Sequence, residues 1–224
     1  MLLRPAQPSD ALAIARIHVR AWQHGYAGIL PASYLNQLRS EDRAEKYDLS
    51  HADPSHPHTI VALNESTRNP NTKLDGRPSG DLDVRPHGAL ADLDSLDNIV
   101  RHSGNPTSQS ASGLGNIAAH SDDKILGFAT TRPSQESDLP HHGELTALYV
   151  DPDSWGCGIG VALVSAARAH LVSLSLRHAY LFTLVDNLRA QHFYKSDQWT
   201  PDGLTRTDTV WGAAVHVLRF QRNL

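Results

Sequence analysis

The chain has a single cysteine, no excess of basic residues and no long apolar run near its beginning. With Cys157 alone among 224 residues, an intramolecular disulfide framework is excluded. A net charge of -4 offers no basic surface to a polyanion, so nucleic-acid binding is not expected. Because Pro5 and Asp10 interrupt the first apolar residues, we expect neither a signal peptide nor a membrane-spanning segment. These absences favour a cytoplasmic protein that contacts neither membrane nor nucleic acid.

Aromatic residues are missing from one long segment. No Phe, Trp or Tyr lies between residues 64 and 120, where Gly, Pro, Ser, Asn and Asp predominate. Such a segment cannot bury enough apolar surface to offset the entropy lost on ordering. We therefore predict one domain over residues 1–224 with a low-complexity, mobile insertion at 64–120. Within the insertion, "ALADLDSLDNIV" has the spacing of a short amphipathic helix, with a transient stretch of a disordered loop as the alternative.

Outside the insertion, apolar periodicity predicts strands and helices in alternation. The first part is expected to hold a helix at "DALAIARIHVRAWQHGY", a second helix after Pro31 and a buried strand at "HTIVAL". The second part is expected to hold strands at "KILGFATTR" and "GELTALYV", a helix that follows three glycines, a strand at "AYLFTLV", a short helix at "NLRAQHFYK" and two last strands at "TRTDTVWG" and "AVHVLRF".

Three alternate glycines, Gly156, Gly158 and Gly160, separate the strand "GELTALYV" from the helix after it. The dinucleotide fingerprint fails in both frames, because its third glycine would fall on Val161 or Leu163. The mononucleotide loop fails because no Gly-Lys-Ser/Thr follows the glycines. What remains is a helix start whose backbone N–H groups are not covered by side chains and can approach an anion. The pattern therefore favours a site for a pyrophosphate-bearing cofactor.

Two motifs resemble those of the GNAT acyltransferase superfamily. "LYVDPDSWGCGIGVAL" is similar to its acyl-CoA-binding motif, and "VDNLRAQHFYKSDQW" is similar to its second signature, with Asn187, Ala190, Phe193 and Tyr194 in register. "RPAQPSDALAIARIHVRAW" also resembles the opening strand and helix of the family. The resemblance implies an α/β fold with a mixed, mostly antiparallel central sheet flanked by helices. The insertion, which has no counterpart in the family pattern, is expected between the second and third strands. The resemblance also implies acetyl-CoA as the acyl donor.

The chain departs from the family pattern at two places. Trp155 stands where the first motif usually has Arg or Gln, which removes a side chain but not the backbone amides that bind phosphate. Gln198 and Trp199 stand where the second signature usually ends in Gly-Phe. Since glycine would tolerate a positive φ after the helix, the geometry of that turn is left open.

The resemblance implies roles for several residues, each of which has a plain structural alternative. An amine with a pKa near about 10.4 must lose a proton before it attacks, and Glu144 is implied as the base, with a solvated strand-end charge as the alternative. Tyr194 is implied to lie near the CoA sulfur, the alternative being a core aromatic. Asn187 is implied to bind the pantetheine amides, the alternative being a helix N-cap. A backbone N–H near Leu148 to Val150, on a bulged strand that splays from its neighbour, is implied to meet the oxyanion.

The predicted site has a catalytic, a donor and an acceptor part. Cys157 is interpreted as a small filler residue and not as an acyl-carrying nucleophile. No metal is expected, since the histidines of "HADPSHPH" and the pair at 141–142 lack partners at ligand spacing. The predicted catalytic residues are Glu144 and Tyr194; the predicted donor-binding residues are Leu148, Tyr149, Val150, Trp155, Gly156, Cys157, Gly158, Ile159, Gly160, Val161 and Asn187; the predicted acceptor-side wall is Trp22, Tyr26 and Tyr34.

Taken together, the resemblance and these residues predict an N-acetyltransferase. It would move an acetyl group directly from acetyl-CoA to a primary amine of a small molecule or a peptide. The alternative is a non-catalytic acyl-CoA-binding sensor or regulator, which would keep the glycine loop without needing Glu144 or Tyr194. The identity of the acceptor and the presence of a homodimer are left open.

Overall fold

Seven strands form one sheet in the computed structural model, which describes residues 1–50, 53, 56–64, 124–210 and 212–224. The strands are β1 Leu2–Pro5, β2 His58–Leu63, β3 Ile125–Pro133, β4 Gly143–Val150, β5 His178–Leu184, β6 Thr200–Val210 and β7 Ala213–Asn223. The helices are α1 Ala11–Gly25, α2 Ala32–Leu35, α3 Ser40–Ala44, α4 Ile159–Ser173 and α5 Leu188–Ser196.

The strand order is β1-β2-β3-β4-β5-β7-β6, and every neighbouring pair is antiparallel except β4 and β5, which are parallel. The prediction of a mixed, mostly antiparallel sheet flanked by helices is therefore confirmed. The interruption after the second strand falls between β2 and β3, as expected. Residues 65–123, which include the short helix proposed for "ALADLDSLDNIV", lie outside the described residues. The division into one domain with an insertion stays a prediction.

Each face of the sheet carries its own apolar layer, because successive strand residues point to opposite faces. One layer joins α1 to the sheet and includes Trp22, Phe128 and Tyr149. The other joins α4 and α5 to the sheet and includes Leu163 and Phe193. Full burial of one such side chain contributes about 1.5–3 kcal/mol, so the two layers hold the helices on opposite sides. None of the helices in the described ranges is long and apolar enough to cross a membrane.

The structure differs from the sequence-based elements at two places. The helix expected after Pro31 is two short helices, α2 and α3. The sixth strand begins at Thr200, five residues before the expected start, and contains an irregularity between Pro201 and Thr205. Within this irregularity Gly203 adopts a φ of 90°, and the carboxylate of Asp202 accepts a bond from Leu204 N at 2.9 Å. Because the residues of the bulge break the alternating pattern, the start of the strand was hidden in the sequence.

The turn that follows α5 has the left-handed geometry that glycine would favour, although Gln198 occupies it. Gln198 adopts a φ of 65°. Its N–H donates to Lys195 O at 3.0 Å, and the N–H of Trp199 donates to Tyr194 O at 3.0 Å, which is the Schellman pattern. The helix thus ends in the usual way. Because Gln198 has a Cβ, its left-handed backbone conformation is strained.

We predict that Gln198→Gly stabilises the protein. Removing the Cβ relieves about 1–2 kcal/mol of backbone strain, of which about 0.4–1 kcal/mol is lost again to the freer unfolded chain. A thermal melt should show a Tm higher by about 1–4 °C. Gln198→Ala is the matched control, because it removes the side chain but keeps the Cβ. An equal rise in Tm for both variants would contradict the role of backbone strain.

Two histidines stack between β2 and α4. The rings of His58 and His170 have centroids 4.0 Å apart and planes inclined by 16°, and Thr131 Oγ1 lies 2.9 Å from His170 Nδ1. Burial, and secondarily the neighbouring His58, lowers the pKa of His170 to about 4. Burial also lowers the pKa of His58. Both rings are therefore neutral in the folded protein near pH 7.

We predict that this pair makes the fold acid-sensitive. The unfolded histidines take up protons near their ordinary pKa of about 6.5, whereas folded His170 does so only near pH 4, so stability falls as the pH is lowered through this window. His170→Gln, which cannot be protonated, should lose less Tm than the wild type between about pH 7 and about pH 4.5. The exposed His192→Gln is the control and should follow the wild type. Parallel curves for all three proteins would refute the prediction.

Candidate functional site

The parallel strands β4 and β5 are paired at one end and separated at the other. Their recorded pairs are Gly143 with Ala179 and Glu144 with Tyr180, at the start of both strands. β4 remains paired with β3 as far as Val150, and β5 remains paired with β7 over its whole length. Within the described strands, the facing edges of β4 and β5 beyond this point are not joined by pairing. The sheet therefore contains a gap that opens toward the carboxyl ends of two parallel strands, where ligands of open α/β sheets bind.

A β-bulge in β4 lies next to the last of these pairs. Thr130 is opposite Ala147 and Thr131 is opposite Leu145, so that Thr146 is the extra residue. Its Oγ1 donates to Thr130 O at 3.1 Å, in a buried position. A bulge bends its strand and raises the local twist, which explains why β4 parts from β5 just after it. The splay expected from the sequence is present, and its bulge lies at Thr146, before the predicted stretch at Leu148 to Val150.

The glycine-rich loop connects the open end of the gap to α4. Gly156 and Gly158 have φ values of 80° and 76°, and together with Cys157 they are exposed. A Cβ on Gly158 would meet nothing within 4 Å, so the space beside this N-cap is open. The first bond of α4 runs from Ala162 N to Gly158 O at 3.1 Å, which leaves the preceding amides of the first turn outside the helical ladder. Those amides and the helix dipole favour an anion at this position.

Asn187 begins α5 at the far side of the gap. Its Oδ1 accepts a bond from Ala190 N at 3.1 Å, so the residue is the N-cap of the helix. Its Nδ2 is buried without a hydrogen-bond partner, and only 3% of the residue is exposed. A buried amide that lacks a partner costs roughly 1–3 kcal/mol, which a ligand carbonyl would relieve. Both alternatives weighed for Asn187 are therefore compatible: the cap uses one end of its amide, and the other end is available to a ligand.

Trp155 lies between the glycine loop and α5. Its indole Nε1 donates to Val150 O at 2.9 Å, and the guanidinium carbon of Arg189 lies 3.5 Å from the centroid of its ring. The ring of His24, in α1, meets its edge at a centroid distance of 6.4 Å. Trp155 is thus held by contacts with three elements. Sequence reasoning missed Arg189, which sits in the first turn of α5 within a motif that had been assigned to Asn187 and Tyr194.

Glu144 forms a row of cross-strand neighbours with Arg132 and Tyr180. Its Oε2 accepts from Arg132 Nε at 2.7 Å and from Tyr180 Oη at 3.0 Å, and the two ion-paired side chains are only 8% and 5% exposed. Burial, then the charge of Glu144, raises the pKa of Tyr180. Glu144 is therefore not the solvated strand-end charge weighed as its alternative. Both recorded bonds reach Oε2, and its role as a base stays a prediction.

Tyr194 lies on the opposite face of the sheet from the Glu144 row. It is fully buried in the apolar layer of α4 and α5, with ring centroids 6.1 Å from Trp199 and 6.4 Å from Phe220. Tyr180, which bonds Glu144, belongs to the layer of α1. The gap between β4 and β5 is an opening in the sheet that borders both of its faces. The catalytic role of Tyr194 stays a prediction.

The expected acceptor-side wall is largely part of the core. Trp22 and Tyr26 are 1% and 0% exposed, and Trp22 Nε1 donates to Tyr149 Oη at 3.1 Å. Their rings meet edge to face, 4.8 Å apart. Both rings therefore pack in the layer between α1 and the sheet, and their role in the acceptor-side wall stays a prediction. Tyr34 is half-buried against the same layer and keeps surface for contact, so its predicted role is unaffected.

Cys157 and possible metal ligands are the other reactive groups considered in the sequence. Cys157 is exposed on the glycine loop, and its Sγ lies 3.8 Å from Trp155 O. No group of three or more His, Cys, Asp or Glu residues in the described parts of the chain could hold a metal ion. The expectation that the protein uses no metal stays a prediction. The candidate site therefore consists of the gap, the glycine loop and the starts of α4 and α5 beside them.

The sheet opens between two parallel strands toward a glycine-rich helix start. The model described as "Acetyltransferase (GNAT) family" matches residues 90–197, so this part of the chain is a GNAT acetyltransferase segment. This match contains β4, the glycine loop, α4, β5 and α5. The family expectation drawn from the two motifs is therefore confirmed.

Relatives with assigned names match only part of the chain. A mycothiol acetyltransferase of Kocuria rhizophila is 34% identical over 95 residues, which is 41% of this chain and 31% of that protein. One of Actinosynnema mirum is 38% identical over 78 residues, which is 35% of this chain and 25% of that protein. The matched stretch thus spans less than a third of either relative.

Several solved structures have a similar fold. A GCN5-related N-acetyltransferase from Kribbella flavida has a TM-score of 0.57 at 15% identity and covers 100% of this chain and 97% of its own. The PaiA N-acetyltransferase from Thermoplasma acidophilum, solved in complex with coenzyme A, has a TM-score of 0.54 at 12% identity, with coverage of 100% and 98%. At these identities the likeness concerns the fold alone.

Proposed function

We propose that the protein is an acetyl-CoA-dependent N-acetyltransferase that transfers an acetyl group directly to a primary amine. The observation that carries this proposal is the gap between β4 and β5, which begins after the pair of Glu144 and Tyr180 and opens toward the first turn of α4. A long, thin donor can lie between the two strand edges and bond their unpaired backbone groups. Its charged end then reaches the helix start that favours anions. The GNAT family match over residues 90–197 supports the same reading.

The residues around the gap fit coenzyme A. The amides of Ile159, Gly160 and Val161 would receive the pyrophosphate, and the exposed glycines before them leave room for it. The buried Nδ2 of Asn187 would donate to an amide carbonyl of the pantetheine arm. When bound, acetyl-CoA supplies the thioester carbonyl that the amine attacks. The backbone of β4 along Leu148 to Val150 borders the gap and would provide the N–H that meets the oxyanion.

The chemistry of transfer requires one group that accepts a proton and one that donates a hydrogen bond. As the C–N bond forms and the C–S bond breaks, the amine loses a proton and the sulfur leaves as a thiolate. Glu144 would accept the proton, directly or through water, at the oxygen that does not bind Arg132 and Tyr180. Tyr194 would hydrogen-bond the departing sulfur from the other face of the gap. The buried ion pair fixes the carboxylate before the acceptor arrives.

The acceptor is proposed to be a small molecule with a primary amine. Support comes from the relatives named mycothiol acetyltransferases and from the position of the Glu144 row on the face of α1. Tyr34 contributes partly exposed aromatic surface on this side, while Trp22 and Tyr26 support it from within. A peptide N-terminus is the competing acceptor. A panel of amines, followed by release of CoA, distinguishes the two classes.

A sensor that binds acyl-CoA without catalysis remains the second candidate, and one observation favours it. Glu144 is engaged by two partners and Tyr194 is packed in the core, so both predicted catalytic groups also have structural roles. A sensor would bind acetyl-CoA but release no CoA with any amine of the panel. Turnover with at least one amine, abolished by blocking the glycine loop, supports the enzyme.

We predict that Gly158→Asp weakens the binding of acetyl-CoA far more than Gly158→Asn. Both substitutions place a side chain at a residue with a φ of 76°, and they differ in little but charge. The carboxylate would repel the pyrophosphate, and we expect a further loss of roughly 10- to 100-fold in affinity relative to Gly158→Asn. Calorimetry measures the affinities, and thermal melts verify folding. Equal affinities in the two folded variants would sink the assignment of the loop.

We predict that Glu144→Gln slows the reaction most at low pH. If Glu144 is the base, its loss matters while the amine is protonated, and the rate recovers as the pH approaches the pKa of the amine, about 10.4 for a lysine-like group. Tyr180→Phe is the matched control, because it removes a bond to the same oxygen but leaves the carboxylate. A Glu144→Gln rate that is reduced by the same factor at every pH would mean a purely structural role.

The same kinetics report on Tyr194 and Cys157. For direct transfer, double-reciprocal plots should intersect, and Cys157→Ala should remain active. Tyr194→Phe should lower kcat by ~10- to 1,000-fold with little change in the affinity for acetyl-CoA, since it removes a hydrogen bond formed as the sulfur leaves. Parallel lines together with a trapped acetyl group on Cys157 would overturn direct transfer.

A further inference from the structure

Arg189 is a half-buried cation that lacks a carboxylate partner among the described residues. Its guanidinium lies over Trp155, with the central carbon 3.5 Å from the ring centroid, and its Nε is buried without a hydrogen-bond partner. Burial lowers the pKa of Arg189, although an arginine keeps its charge at neutral pH. By contrast, Arg132 and Arg168 each form an ion pair with an acidic side chain. Arg189 instead has donors that remain available.

The position of Arg189 is fixed relative to the glycine loop. Arg189 and Phe193 are four residues apart in α5 and so lie on the same face of that helix. The ring of Phe193 lies 3.4 Å from the place that a Cβ would occupy on Gly160, in the first turn of α4. The first turn of α4 therefore contacts the second turn of α5, and Arg189 lies one turn before this contact in α5. Its guanidinium lies over Trp155, the residue directly before the glycine loop.

Trp155 is a rigid support for the guanidinium. Its indole N–H is committed to Val150 O, and its edge meets His24, so the ring cannot rotate freely. Stacking of an arginine on an indole is favourable and leaves the N–H groups in the plane of the guanidinium free to bond. The aromatic contact thus orders a long side chain before any ligand arrives. Preorganised in this way, Arg189 would lose little entropy when it binds an anion.

We propose that Arg189, held on Trp155, is a phosphate-binding residue for the coenzyme A donor. The inference rests on the proposed function, because it assumes that this donor lies in the gap. It adds a side-chain cation, supplied from α5, to the backbone amides of α4. The guanidinium matches phosphate geometry through two parallel N–H bonds. Trp155, in this arrangement, positions the arginine and does not itself bond the phosphate.

The test compares CoA with pantetheine, which lacks the phosphates, by calorimetry on the full chain. Arg189→Leu should weaken CoA binding by roughly 10- to 100-fold, the loss expected for one charged hydrogen-bonding group, and should leave pantetheine binding unchanged. Arg189→Lys keeps the charge without the planar fork and should fall between. Arg177→Leu removes an equal charge from the exposed loop before β5, at the other end of that strand, and serves as the matched control. Thermal melts confirm that each variant is folded.

A rescue experiment asks whether the position of the charge matters. Trp155→Arg combined with Arg189→Leu returns a guanidinium to the same contact from the opposite side, and it should regain most of the lost affinity for CoA. CoA binding by Arg189→Leu within twofold of the wild type would overturn the inference, as would equal losses for CoA and pantetheine. Wild-type protein that does not bind CoA at all would overturn the proposed function itself, whereas loss of binding in Gly158→Asp with full binding in Arg189→Leu would overturn only the role of Arg189.

Discussion

The ion pair of Arg132 with Glu144, extended by the hydroxyl of Tyr180, joins three neighbouring strands at the point where the sheet divides. On one side of this row β3, β4 and β5 form a continuous sheet, and on the other side β4 and β5 separate. A buried ion pair contributes modestly to net stability, but removing one partner costs about 3–5 kcal/mol because a charge is left unpaired. The row therefore holds β3, β4 and β5 together directly before the bulge at Thr146, where the gap begins.

The two faces of the sheet carry different parts of the candidate site. The face of α1 carries the Glu144 row and the aromatic layer around Trp22, whereas the other face carries α4, α5 and Tyr194. In the proposed complex, a donor between the strands would lie across the boundary of the two layers. Its charged end would meet the first turn of α4, which contacts the second turn of α5 through Gly160 and Phe193. The division of the sheet would thus bring residues from both layers to one ligand.

The sequence predicted the fold well wherever local pattern and tertiary packing agree. The helix after the glycines, the strands around it and the family signature depend on periodicity and on residues close in the chain, and they were found. The start of β6 was missed because the bulge around Gly203 breaks alternation, and the two short helices after Pro31 are too brief for periodicity to resolve. The left-handed turn at Gln198 could not be read from a residue that rarely adopts it.

The candidate site was predictable in its residue types but not in its contacts. Glu144, Asn187 and Tyr194 were identified from motifs, yet the partners that decide what each can do come from other strands. Arg132 and Tyr180 are the direct cross-strand neighbours of Glu144, which only the strand register reveals. Trp22 and Tyr26 were assigned to the acceptor-side wall from the resemblance, and their full burial in the layer of α1 was not part of that prediction. Burial is a property of the assembled layers, and no short stretch of sequence contains it.

The exposed thiol of Cys157 has a practical consequence for anyone who follows this protein in solution. It is the only cysteine of the chain, and it lies between two glycines in the loop that leads into α4. Disulfide dyes that measure free CoA react with any accessible thiol, so the protein itself consumes reagent in proportion to its concentration. The same property makes the loop easy to label at one defined atom. A reporter attached there would sit at the rim of the gap, and its accessibility would register what occupies the loop without any turnover.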